Sequence, residues 1–163
     1  MPFPPPTDPG VHADEREQMV AFLRTQRALV AASATGLTDQ QAHWRPDGKL
    51  IPIIGIVNHL THVEGRWIDG SYLRRPVPPR SEEEFTVAPG RGLAAVMDAD
   101  RARADRTDAA VLAAPDLAVP CLHPHHTGID LRWVLLHLIE ETAHHAGHAD
   151  STREMLDGRI SDW

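Results

Sequence analysis

A single cysteine, Cys121, is all the thiol chemistry the chain has, so no disulfide can form within it. Lone cysteines are usually inert. The neighbouring His123, His125 and His126 leave ligand or nucleophile roles open for this one. Basic charge is also scarce: Lys49 is the only lysine and the formal net charge is -7, so no nucleic-acid partner is expected. No apolar run approaches the ~18 residues that a membrane span needs. The opening MPFPPPTDPG lacks the basic start and apolar middle of a secretory signal, so a cytoplasmic location is expected.

What is present is a core-forming share of hydrophobic residues, 42% of 163, enough for one globular domain. Residues 1–10 are too rich in proline for a helix and are expected to form an extended arm. Residues 11–163 are expected to form one domain. From Val11 to about Thr35, Met19, Phe22, Leu23, Leu29 and Val30 recur mostly at helical spacing, and Gly36 marks the stop. Thr38-Asp39-Gln40-Gln41 reads as a capping box on a short helix, with Trp44 expected to anchor the following turn in the core. A second long helix begins near Ile53, with Ile56, Leu60, Val63 and Trp67 on its apolar face and His59 pointing inward among them.

Pro76 to Pro89, with its prolines and the acids Glu82, Glu83 and Glu84, reads as a surface crossover that is also placed to cover a substrate. Gly92 to Ala114 has helical period, with Arg101, Arg103, Arg106 and the intervening aspartates expected to form a solvated face. Pro115 to Gly128 breaks regular structure, and its three histidines invite adventitious metal binding. The last helix covers DLRWVLLHLIEETAHHAGHADSTREMLDG, Asp130 to Gly158. No segment reads convincingly as a strand. The expected fold is therefore all-α: a four-helix bundle with a crossover connection.

On that last helix, at about 100° per residue, His137, Glu141, His145 and His148 share one narrow stripe with Val134. A solvated helix face would carry the same residue types. If the stripe is buried, it needs hydrogen bonds, paired charges or a metal to offset desolvation. Glu141 and His145 stand one turn apart, so a cation could take an oxygen from one and a nitrogen from the other. Bundles build metal sites from inward side chains of facing helices, and His59 would complete such a set.

Two motifs give a resemblance. The pattern N-H-L-x-H-V-E-x-x-W at Asn58–Trp67 and H-L-I-E-E-T-A-H-H-A-G-H-A-D-x-x-R-E at His137–Glu154 together resemble the DinB-like superfamily of small metal-dependent four-helix proteins. The resemblance covers roughly residues 11–158. It implies a divalent metal, zinc or nickel, held by His59, Glu141 and His145. Glu141 stands where many relatives have histidine, so the set is most similar to the mycothiol-dependent branch. Also implied is a transferase that conjugates a low-molecular-weight thiol such as mycothiol to an electrophilic small molecule, or the related isomerisation. His148 is the candidate catalytic residue, with fourth-ligand, proton-shuttle and outer-partner roles all open. His62 and His137 are expected to support or pack. Competing expectations are a metal-dependent hydrolase with His148 as base, and a non-enzymatic, stress-related metal-binding bundle. The arm and bundle faces leave room for a homodimer.

Overall fold

A computed structural model describes residues 7–12, 14–88 and 90–159. Among them the fold is all-helical, with five α-helices: α1 (Glu15–Ala34), α2 (Asp39–Ala42), α3 (Ile53–Glu64), α4 (Leu93–Leu112) and α5 (Leu131–Asp157). Four are long, as expected of a bundle, and α2 is the short capped turn. The first six residues of the Pro-rich arm lie outside the described residues.

Local chemistry sets the ends. Asp14 accepts from the backbone N–H of Arg16 and Glu17, so α1 starts at Glu15, four residues later than its apolar pattern suggests. Thr38 and Gln41 form the reciprocal capping box of α2. Asp130 accepts from Trp133 N–H at the start of α5, and Gly158, at φ +75°, closes it in a left-handed turn. α3 does not stop at Glu64. It continues as a π-helix, Gly65–Tyr72, after which Leu73 N–H reaches five residues back to the Ile68 carbonyl at 2.9 Å.

α1 packs chiefly on α5 and α3 chiefly on α4, with α5 also against α3. The core is split in two. One apolar cluster gathers Leu23, Val63, Trp67, Val111, Leu135 and Leu138; the other gathers Leu29, Ile53, Ile56, Leu60, Val96 and Ala146. Between them each long helix contributes buried polar groups: Arg27 from α1, His59 and Glu64 from α3, Thr107 and Asp108 from α4, and Thr142 and His145 from α5. Most buried polar atoms are partnered, and those that are not call for an explanation. This polar waist, flanked by two dry clusters, is where any chemistry has to sit.

Three expectations need correction. Trp44 is 37% exposed and does not anchor the core. Arg103 is buried and pairs with Asp69, so the α4 charge run is not wholly a solvated face. The Pro76–Pro89 segment is not purely surface: it contains a short 3-10 turn, Glu82–Phe85, and Glu84 is buried at 4% exposure. The segment from Pro115 to Gly128 lacks regular elements apart from isolated bridges, Pro120 with Asp130 and His123 with His126. No helix among the described residues is long and apolar enough to cross a membrane.

Candidate metal centre

His59 reaches the waist because it shares a face of α3 with buried Ile56, Leu60 and Val63. Across from it, α5 presents Glu141 and His145 one turn apart. His59 Nε2 lies 3.3 Å from Glu141 Oε1, and His145 Nε2 lies 3.5 Å from the same oxygen. One ligand-capable atom from each residue falls within 4.8 Å of the other two, and the two imidazole rings are 5.0 Å apart. His59 and His145 are buried, at 3% and 8% exposure, while Glu141 is half-buried. His145 and His59 beside it hold the Glu141 carboxyl well below the usual carboxylate range.

The geometry poses a charge problem. His59 meets carboxylates on both ring nitrogens: Glu141 at Nε2 and, at 3.1 Å from Nδ1, Glu84 Oε2. A neutral imidazole has one N–H and can donate on only one side. The second side needs another proton or a cation. Two imidazole nitrogens converging on one carboxylate oxygen are a donor set that suits a divalent metal of zinc-like preference.

His148 stands one turn beyond, outside the three-residue group, its ring stacked beside that of His145 at 6.3 Å. Its Nε2 and His145 Nδ1 are both buried with no hydrogen-bond partner, and burial lowers the proton affinity of His148. His62 is exposed and takes no part in the cluster.

Above the cluster opens a cavity of about 780 Å³. His59 and Glu141 form part of its floor; Arg66, Trp67, Arg75 and His137 line it, with the His123–His126 loop across it. That loop does not join the ligand cluster. His123 stacks on Trp67 at 4.4 Å and 12°, His126 lies 5.2 Å from Trp133, and His137 lies 4.6 Å from Trp67, so the loop completes an aromatic wall. Burial lowers the proton affinity of both His123 and His137, which favours uncharged rings. Cys121 is buried below the loop, its thiol pushed up to about 11 by desolvation, which removes it as a nucleophile at neutral pH.

Sequence patterns missed Glu84, Arg66 and Phe85. One signal for them existed: Ser81-x-x-Glu84 is a capping-box spacing, and the structure forms that box, folding Glu84 back against α3. A model of the Mycothiol-S-transferase family, which is DinB-like, matches residues 18–158. No curated protein matches the chain.

Proposed function

The chain belongs to the Mycothiol-S-transferase family, and from that premise we propose that it transfers a low-molecular-weight thiol to an electrophilic small molecule at a divalent cation held by His59, Glu141 and His145. The observation that carries this reading is the convergence of two buried imidazole nitrogens on one carboxylate oxygen at the floor of a cavity large enough for small molecules. When bound, the cation supplies the positive charge that favours the ionised form of a thiol at neutral pH.

The chain's own residues do the rest. A cation held by these three protein ligands would keep a coordination position free, the mark of a reactive centre over a structural one. The aromatic wall of Trp67, His123 and His137 limits water and orients the electrophile beside the sulfur. A new bond forms from sulfur to the electrophilic carbon. The thiol proton passes to solvent, and the displaced group leaves with its electron pair; in an addition, that pair is protonated on the acceptor. Mycothiol as the thiol and zinc as the metal are the finer assignments, favoured by the family and by the mixed nitrogen and oxygen donors.

Residues 11–163 act as one unit, with the arm of residues 1–10 outside the chemistry. A cytoplasmic location, where small thiols stay reduced, fits the reaction. His148 lies outside the three-residue group, with its ring beside that of His145, and support for His145 is the role this placement favours. That weakens a hydrolase in which it serves as the base.

Mass spectrometry of conjugates formed from mycothiol and a panel of alkylating and Michael-acceptor electrophiles tests the proposal. Zinc-dependent conjugates that vanish on chelation are expected. Zinc retention with no conjugate from any thiol would overturn the transferase in favour of a metal-binding module.

A further inference from the structure

His59 is clasped on the side away from Glu141 by the segment Ser81–Thr86. Glu84 Oε2 lies 3.1 Å from His59 Nδ1, and Glu84 Oε1 is engaged by Arg66. The Phe85 ring stacks on the imidazole at 4.3 Å and 26°. The backbone is tied too: Asn58 Nδ2 donates to the Glu84 carbonyl at 2.8 Å, and Arg91 Nη1 donates to Asn58 Oδ1 at 3.2 Å. Under the clasp lies Gly55, where a Cβ would stand 2.4 Å from the Phe85 carbonyl oxygen. Any larger residue there would push the segment away from α3.

These contacts converge on one ring, and their chemistry is directional. A carboxylate at Nδ1 requires the imidazole hydrogen there, which leaves the Nε2 lone pair facing Glu141 and His145. A cation at Nε2 in turn makes the Nδ1–H a stronger donor to Glu84. Carboxylates in this position orient metal-bound histidines and raise their basicity.

Building on the cation reading above, we propose that Glu84 is the positioning residue for His59, and that docking of the 81–86 clasp and binding of the cation form one linked equilibrium. By linkage, whatever the docked clasp adds to cation affinity, the cation returns to clasp stability.

Zinc titration of the purified full chain against a chromophoric chelator, combined with hydrogen exchange of the 81–86 amides with and without zinc, tests this. In the unaltered protein, zinc should slow exchange in the clasp. Glu84→Gln should weaken zinc by about 10- to 100-fold and remove most of the zinc-induced protection, with Glu84→Asp recovering part of both. Gly55→Ala alters neither a ligand nor Glu84 itself, but by displacing the segment that carries Glu84 it should weaken zinc in the same direction. Clasp exchange that is indifferent to zinc in the unaltered protein overturns the linkage without reference to any variant. Glu84→Gln binding zinc as tightly as the parent overturns the positioning role. Failure of the parent to bind zinc is a separate result, which sinks the cation reading itself.

Discussion

Arg27 lies in register with Glu64 inside the bundle, its Nε 2.7 Å from Oε1 and its Nη2 2.8 Å from Oε2, with both side chains 4% exposed. Arg27 Nη1 also reaches Asp108 Oδ1 at 2.7 Å, so one guanidinium ties α1 to both α3 and α4. Removing one partner of a buried pair strands the other's charge. Arg27→Met is therefore expected to lower stability by about 3–5 kcal/mol in urea unfolding. Arg27→Met combined with Glu64→Gln and Asp108→Asn, which removes the stranded charges, should regain much of the loss; a triple variant as unstable as the single one would contradict this account.

His59→Ala and His145→Ala are each expected to abolish zinc retention while leaving most helical circular dichroism, because the two apolar clusters on either side of the waist stay intact. Stoichiometric zinc by elemental analysis in either variant would refute the ligand assignment.

Zinc affinity should fall as the solution is acidified, because protons compete with the cation for the imidazole nitrogens. Glu141 does not set that decline. Its folded carboxyl is depressed, so the stability its ionised form contributes is present above the unfolded pKa and lost only as pH falls through the lower folded value. Competition titrations from pH 5 to 8 check the shape, and a flat profile argues against imidazole ligation.

Asp100 behaves in the opposite sense. Burial pushes its carboxyl from 3.8 up to about 7. Thr61 Oγ1, 3.0 Å from Asp100 Oδ1, donates there and opposes the shift, and burial outweighs it. The folded state then holds a proton that the unfolded chain releases. The stability Asp100 contributes is full below its unfolded pKa and is lost as pH rises through about 7, at up to about 1.4 kcal/mol per pH unit. Asp100→Asn should flatten that decline in denaturation midpoints measured between pH 4 and 8.

Cys121 should resist thiol reagents in the folded protein at pH 7.5 and react promptly in denaturant, since burial suppresses its ionisation. Cys121→Ser should leave zinc binding unchanged. Fast labelling of the native protein would show the thiol to be accessible and acidic.

The helical period revealed a good deal. It identified the four long helices, and because it fixes which residues share a face, it brought His59, Glu141 and His145 towards one another before any coordinates did. Capping chemistry marked Thr38, while the caps of the last helix, Asp130 and Gly158, came from the structure. What it left unread depends on pairing across the fold. Arg103 sits in a run of alternating charges, and nothing local tells a solvated arginine from one that reaches Asp69, 34 residues away. Glu84 is one of three successive acids in a segment without period; the Ser81-x-x-Glu84 spacing marks it as a cap partner, but its place at His59 depends on a contact with a residue 25 positions earlier. The π-helix is silent for another reason: apolar spacing reports a face and does not resolve a change from four-residue to five-residue hydrogen bonding over eight residues.

That π-helical stretch makes folding and chemistry answer differently to the same lesion. Losing one residue between Gly65 and Tyr72 has a ready solution, since the remainder can close into ordinary α-helix and the bundle survives. The positions beyond the deletion, however, hold their register only because those inside the stretch are redistributed around the axis, at the α-helix's roughly 100° per residue in place of the wider turn's smaller step. Trp67 and Ser71, which now border the cavity, cannot then both keep their places, and the result would be a stable bundle with a misassembled wall. The extra residue is a spacer in the helix register: the scaffold can dispense with it, and the cavity cannot.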